Sequence, residues 1–127
     1  MIQATIRMNF TPKKYDEAIQ ILHSIIERTK AETGCINCSV LLNKNSDGLV
    51  IYEEQWRNNE CLQYHLRSDE YKNILLVMEM ATTKPEIRFD TITDSSGVET
   101  IEKARTKNWK ATQESEDGGG STNKNDL

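Results

Sequence analysis

The sequence is short of aromatic residues, cysteine and long apolar runs, and these shortages exclude several classes of protein. No apolar run approaches the roughly 20 residues that a membrane span needs. The N-terminus, MIQATIRMNF, lacks the charged and apolar regions of a signal peptide. The lack of a long apolar run means that we expect no membrane partner. The net charge of −4 is spread over interspersed acids and bases without a basic stripe, so we expect no nucleic-acid partner. Three cysteines without an export signal indicate free thiols in a reducing cytoplasm.

The first forty residues instead carry a strand pattern followed by a helix pattern. Residues 2–9 alternate between apolar and polar side chains, which predicts a half-buried strand. Thr11 and Pro12 suit the N-cap and first position of a helix, and Gly34 suits its C-terminal end. The apolar stripe of this helix is predicted to be Tyr15, Ala18, Ile19, Leu22, Ile25, Ile26 and Thr29.

A hairpin is predicted next. Residues 35–44 form its first strand and residues 49–56 its second, and the NSDG turn at 45–48 favours the positive φ angles of a type I′ turn. In a regular strand, one face of the first strand carries Ile36, Cys38, Val40 and Leu42.

Two helices and a last strand follow this hairpin. The first helix is short, and Ser68 can cap the second, which Pro85 ends. The apolar face of the second helix is predicted to be Tyr71, Ile74, Leu75 and Met78. Residues 86–92 alternate again, with Ile87 and Phe89 on one face.

The element order is β-α-β-β-α-β, which predicts an α+β, ferredoxin-like domain over residues 1–94 with a four-stranded antiparallel sheet. Both helices then cover one sheet face. The other face is of mixed polarity, and we expect a second copy of the sheet to cover it, giving a homodimer through the sheet faces.

The C-terminal quarter of the chain is predicted to lie outside this domain. Residues 95–106 could form a short helical appendix, although a lone helix of that length is marginal unless it docks. Residues 107–127 are polar and include three consecutive glycines, so we expect disorder. Within them, Trp109 is either a stray surface residue or an anchor on a partner subunit.

The cysteines favour structural roles. Cys35 and Cys38 form a C-x-x-C that opens a strand, and residues three apart in a regular strand face opposite sides. Zinc needs about four ligands, and the sequence has no second C-x-x-C and no His-rich segment, so we expect no metal. Cys61 on the short helix is expected to be a small packing residue.

The stretch YEEQWRNNECLQYH, residues 52–65, holds the candidate functional residues. Glu53 and Glu54 are adjacent in a strand and therefore face opposite sides, so they cannot act as a carboxylate pair. One of them could accept a proton if it faces a cavity, because burial raises the pKa of a carboxyl group. The alternatives are a solvated strand end or an ion pair with Arg7 or Arg88.

Trp56 ends the third strand, and His65 shares a helix face with Leu62 and Leu66. His65 should therefore point at the sheet near Trp56. From these residues alone, a hydrogen-bonded core histidine and a packing tryptophan are favoured over a working site.

The segment around this stretch also carries the motifs of a known family. A Glu-x-Gly-Cys opens the second strand, a Glu-x-Trp ends the third and a His-x-x-Ser precedes the next helix, at Glu32, Gly34, Cys35, Glu54, Trp56, His65 and Ser68. In this order and spacing, residues 2–94 resemble the antibiotic-biosynthesis monooxygenase family of the dimeric α/β-barrel superfamily. Residues 97–105 resemble the C-terminal appendix of some members.

The resemblance implies a homodimeric barrel with a pocket between helices and sheet, in which a quinol or other polyphenol is oxidised by O₂ without a cofactor. Trp56 would be a stacking wall, and His65 a proton acceptor or oxyanion partner. The implied substrate-binding residues are Glu54, Tyr52, Tyr64 and Tyr71.

Two alternatives remain beside this interpretation. One is a non-catalytic dimeric module that binds a small apolar or aromatic ligand. The other is heme degradation, which is disfavoured because residues 69–82 contain no histidine and the first strand offers only Asn9.

Overall fold

The computed structural model describes residues 1–43 and 48–114, with side chains described as far as residue 106. The chain forms two compact units, Met1–Thr93 and Asp94–Leu127. In chain order, the elements are β1 (Ile2–Asn9), α1 (Pro12–Lys30), β2 (Cys35–Leu42), β3 (Leu49–Trp56), α2 (Asn59–Arg67), α3 (Tyr71–Met80), β4 (Glu86–Thr91) and α4 (Val98–Glu114).

The four strands form one antiparallel sheet in the order β2-β3-β1-β4, which confirms the predicted ferredoxin-like arrangement. The predicted pairing of β2 with β3 is also confirmed. Most of the predicted turn, residues 45–47, lies outside the described residues. Gly48 is described, with φ at +94°, and a Cβ there would strike the backbone of Phe10. Glycine is therefore required where β3 begins.

The core lies between one sheet face and the helices. The alternating residues of β1 and β3 point into it, and α1 buries four residues of the predicted stripe. On α3 the predicted apolar face agrees less well with the buried residues. Ile74 and Val77 are buried, whereas Leu75, which was predicted to lie on the apolar face, is exposed. Residues 74 and 77 are one turn apart, so the buried row on α3 is narrower than its sequence suggests.

A β-bulge in β2 overturns the predicted facing of the residues before Cys38, whereas Cys38, Val40 and Leu42 share one face as predicted. Cys35 pairs with Trp56 and Cys38 pairs with Glu54, with a register shift between Cys35 and Asn37. Trp56 and Glu54 are two residues apart and share a face, so both cysteines lie on that face as well. The expectation that Cys35 and Cys38 face opposite sides is wrong. The extra residue is Ile36, which was predicted to share a face with Cys38 and is 53% exposed.

The second sheet face is mixed in polarity. β1 contributes Gln3, Thr5 and Arg7 to it, and Gln55 of β3 donates a hydrogen bond to Gln3 over 2.8 Å. Paired positions of β3 and β2 add apolar side chains to the same face, including Ile51 opposite Leu41. None of the described helices of the first unit packs on this face.

The second unit contains α4, whose start is stabilised by local hydrogen bonds. The backbone N–H of Gly97 donates to Oε2 of Glu99 over 2.8 Å, and Ser96 pairs with Thr100. Helix α4 spans Val98–Glu114 and so continues past residue 106 into the segment predicted to be disordered. Residues 115–127 of that segment, and the side chain of Trp109, lie outside what the structure describes. Among the described residues, no helix is long and apolar enough to cross a bilayer.

Candidate functional site

The end of β3 and the start of α2 bring the candidate residues together. The backbone N–H of Arg57 donates to the carbonyl of Gly34 over 2.7 Å, which fixes the chain as it leaves β3. The Asn58 side chain accepts from the N–H of Cys61 over 2.9 Å and caps α2. Helix α2 therefore starts close to the sheet. With this start, Leu62 and His65, three residues apart, point into the core.

His65 is fully buried, and both of its ring nitrogens are hydrogen-bonded to carboxylates. Nε2 lies 2.9 Å from Oε2 of Glu54. Nδ1 lies 2.9 Å and 3.1 Å from the two carboxylate oxygens of Glu32. A carboxylate can only accept hydrogen bonds, so an imidazole that satisfies both partners carries a proton on each nitrogen. The geometry therefore describes an imidazolium between two carboxylates.

Glu54 is the centre of the cluster, with its side chain only 3% exposed. The Tyr52 hydroxyl donates to its Oε2 over 2.6 Å, and the indole N–H of Trp56 donates to its Oε1 over 2.9 Å. With His65, three donors converge on this carboxylate. The thiol of Cys38 in turn donates to the Tyr52 hydroxyl over 3.2 Å, so the network runs from β2 across β3 to α2. This convergence holds the Glu54 carboxylate in one orientation.

Two aromatic rings enclose the imidazole. The Trp56 ring lies 4.6 Å from the His65 ring, centroid to centroid, at 33° between planes. The Tyr71 ring meets it edge-on at 5.2 Å and 84°. Trp56 has no exposed surface, and one of its faces is already occupied by His65. In this state, Trp56 stacks against the histidine and offers no exposed surface to a substrate.

Opposing effects set the pKa of His65. Burial alone lowers the pKa of an imidazole, because it penalises the charged form. The hydrogen bond and negative charge of Glu54, followed by the charge and hydrogen bond of Glu32, outweigh burial and raise the pKa above its ordinary value. The raised pKa favours the protonated form of His65, in which both ring nitrogens donate. Of the two roles that the family resemblance implies for His65, proton acceptor and oxyanion partner, the protonated form suits the second.

The tyrosine hydroxyls and the thiols in and beside the cluster stay in their neutral forms. Burial, followed by the charge of Glu54, raises the pKa of Tyr52 well above its ordinary value and that of Tyr71 to about 12. Burial is also the main reason that the pKa values of the thiols rise, to about 11 for Cys35 and about 12 for Cys38. A thiolate is the reactive form of cysteine, so these two residues are poor nucleophiles.

Five of the six predicted site residues meet in this cluster. They are Trp56, His65, Glu54, Tyr52 and Tyr71. Tyr64 does not reach the cluster and is 72% exposed, because it lies one residue before His65 and so points away from the core.

Glu32 belongs to the Glu-x-Gly-Cys motif but was not predicted to bind His65. It lies 33 positions away in the sequence, in the short connection between α1 and β2. Its side chain is 23% exposed, so it carries the network from the buried histidine to the protein surface. Nothing in the local pattern around Glu32 indicated this partner.

No metal site accompanies the cluster. Among the described residues, no group of three or more His, Cys, Asp and Glu side chains is arranged to hold a metal ion. The carboxylates of Glu32 and Glu54 instead accept hydrogen bonds from the two ring nitrogens of His65.

Comparison with known proteins identifies the family. The sequence model of the antibiotic biosynthesis monooxygenases matches residues 1–75, which include the whole cluster. The chain belongs to the antibiotic biosynthesis monooxygenase family. A curated relative, an uncharacterised protein of Synechocystis, is 33% identical over 57 residues, covering 45% of this chain and 39% of the relative. The chain thus matches well under half of that relative's length.

Solved structures of other proteins share the fold of this chain. A conserved protein of Methanosarcina mazei is 29% identical and superimposes with a TM-score of 0.64, covering 70% of this chain and 89% of its own. A variant of SnoaB, a cofactor-independent oxygenase of Streptomyces nogalater, superimposes with a TM-score of 0.63. The match covers 74% of this chain and 94% of SnoaB at 10% identity, so it shows a shared fold alone.

Proposed function

We propose that this protein is a cofactor-independent monooxygenase that oxidises a phenolic or quinol-type aromatic small molecule with O₂. The observation that carries the proposal is the buried chain Tyr52–Glu54–His65–Glu32, which links the core to the surface through hydrogen bonds. Family membership and the fold shared with a cofactor-independent oxygenase support it.

The energetics of the cluster favour a functional role. Removing charges from water costs several kcal/mol per ion, and replacing a buried ion pair with apolar residues of similar volume is often neutral or stabilising. Stability alone therefore does not explain why a cation is buried between two carboxylates. Shifted pKa values in a coupled cluster are also characteristic of functional sites.

In the proposed reaction, the protein removes the phenolic proton, stabilises the negative charge of the phenolate and holds the imidazolium in position. The carboxylate of Glu32 accepts the phenolic proton and passes it to water, since its side chain is partly exposed. The imidazolium of His65 then pairs with the phenolate, which is electron-rich enough to reduce O₂. Tyr52 and Trp56 hold Glu54, and Glu54 holds the imidazolium in place.

The overall reaction balances without a further reductant. A phenol with a free ring C–H and O₂ give a quinone and water, so one oxygen atom enters the ring and the other leaves as water. The ring loses four electrons and O₂ gains four. A quinol that already carries both oxygens instead gives quinone and hydrogen peroxide.

The active form is proposed to be a homodimer. The sheet face away from the helices carries Ile51 and Leu41 beside polar groups, and a second sheet would bury them. Sedimentation should therefore give about twice the 14.6 kDa of one chain. A species of one chain mass at micromolar concentration would refute the dimer.

The test is aerobic oxidation of a panel of phenols and quinols, followed by O₂ uptake and the absorbance of the quinone. We expect turnover by the wild type and by Tyr64→Ala, whose side chain lies outside the cluster. His65→Ala and Trp56→Phe should reduce turnover at least about tenfold. The proposal fails if no compound turns over above the protein-free rate, or if both cluster variants match the wild type.

A non-catalytic module that binds a small ligand is the second candidate, and one observation favours it. His65 and Trp56 have no exposed surface, and both His65 nitrogens are already bonded. Saturable binding of a phenol by calorimetry, without O₂ uptake across the panel, would support this candidate over the oxygenase.

A further inference from the structure

The two carboxylates that bind His65 differ in how firmly they are held. Glu54 is 3% exposed and is fixed by Tyr52 and Trp56 as well as by the histidine. Glu32 is partly exposed, and its side chain has no described hydrogen bond or ion pair except those to His65. One nitrogen of His65 thus has a fixed partner and the other has a partner that can leave.

Releasing Glu32 and releasing Glu54 have different costs. A Glu32 carboxylate that rotates toward solvent recovers hydration, because part of its side chain already contacts water. Moving Glu54 would leave a buried charge without its partner and two further donors unsatisfied. Nδ1 is therefore the nitrogen of His65 that can exchange ligands.

The site exposed by this movement would have a defined chemistry. Nδ1–H is a charged donor that currently binds a carboxylate through both oxygens. Trp56 and Tyr71 are in contact with the imidazole, and the Cys35 N–H donates to the Glu32 carbonyl over 3.1 Å. A charged donor beside two aromatic rings suits an aromatic ligand with an ionised oxygen.

We propose that Glu32 occupies an anion-binding site on Nδ1 of His65, and that an aromatic carboxylate, or a phenolate whose proton Glu32 or water has taken, binds there by displacing it. The inference rests on the proposed function in that it names the ionic form of the substrate. It also gives Glu32 a second role, as an internal competitor that keeps the histidine satisfied when no ligand is bound.

The experiment measures binding of benzoate and 4-nitrophenolate, with benzamide as the neutral analogue of benzoate. Calorimetry gives the Kd, and ¹⁵N NMR follows the ring nitrogens of His65, with the exposed His23 as an internal reference. The variants are Glu32→Ala and Glu32→Gln. Glu27→Ala is the matched control, since it removes an exposed glutamate near the same end of α1.

In the wild type, we expect either anion at saturation to shift the Nδ1 signal of His65, while the His23 signals stay in place. Removing the internal competitor should tighten binding of that anion at least about tenfold in Glu32→Ala and, to a smaller extent, in Glu32→Gln. Benzamide should bind at least about tenfold more weakly than benzoate to Glu32→Ala. Glu27→Ala should bind all three ligands as the wild type does.

Two results would overturn the inference. One is a wild-type His65 signal that neither anion moves, which can be seen even if the variants fold poorly. The other is a folded Glu32→Ala that binds both anions no more tightly than Glu27→Ala, or binds benzamide as tightly as benzoate. Anion binding without turnover in the oxidation panel would refute the proposed oxygenase and support the anion-binding site. Turnover without anion binding would support the oxygenase and refute the anion-binding site.

Discussion

Replacing Glu54 with glutamine should destabilise the protein severely, although the two side chains have nearly the same shape. The carboxylate accepts from Tyr52, Trp56 and His65. In glutamine, one of the two oxygens becomes an NH₂ group, which can only donate. If the NH₂ replaces Oε1, it faces the indole N–H of Trp56, and two donors meet. If it replaces Oε2, Tyr52 must turn its hydroxyl and His65 must lose the proton on Nε2.

The magnitude follows from these contacts. Hydrogen bonds to a charged group contribute about 1.5–3 kcal/mol each, and breaking a buried pair by removing one partner costs about 3–5 kcal/mol. Rearrangement of Tyr52 and His65 in the second orientation recovers part of this. We therefore expect Glu54→Gln to lower the free energy of unfolding by about 3 kcal/mol, against a typical total of about 5–15 kcal/mol.

The measurement is urea unfolding at fixed pH and protein concentration, repeated at a second concentration because oligomerisation also contributes to stability. Glu53→Gln is the control, since Glu53 is the neighbouring residue on the opposite sheet face. It should change stability by less than about 0.5 kcal/mol. Equal effects of the two substitutions would show that Glu54 does not hold the cluster together.

Two further predictions concern pH and the α1–β2 connection. Because the pKa of His65 is raised in the folded state, its contribution to stability is complete below the unfolded value and is lost as pH rises through the folded one. Unfolding free energy should fall with pH by up to about 1.4 kcal/mol per unit over that window, and a pH titration of stability that is no steeper in the wild type than in His65→Gln would contradict this. Gly34→Ala should cost about 2 kcal/mol or more, because φ is +84° and the new Cβ would clash with the Sγ of Cys61 and lie 2.6 Å from its Cβ. Urea unfolding checks this, and adding Cys61→Ala should recover part of the loss; a neutral Gly34→Ala would refute the steric argument.

Local patterns were sufficient to predict most of the fold. Alternation in residues 2–9 and the three- and four-residue spacing on α1 are set by the geometry of single elements, and both were confirmed. The β-bulge could not be read in this way, because the sequence at 35–42 alternates plausibly with or without an extra residue. Only pairing with β3 reveals that Ile36 is the residue outside the alternation.

The site was predictable to the extent that it depends on neighbours in the chain. Trp56 and Glu54 share a strand face and His65 lies on the inward face of the next helix, so their meeting follows from short-range geometry. The same helical geometry could have excluded Tyr64, which is adjacent to His65 and points outward. The pairing of Glu32 with His65 depends on how the connection between α1 and β2 lies against α2, which no local pattern encodes.

The bulge at Ile36 also affects how relatives of this chain are compared. A strand read without the extra residue assigns every position before Cys38 to the wrong side of the sheet. An alignment that places Glu32, Gly34 and Cys35 against a relative with an unbulged strand therefore needs a one-residue gap at Ile36. Without that gap, the carboxylate that binds His65 would be matched to a residue with a different orientation, and two proteins with the same site would be scored as having different ones.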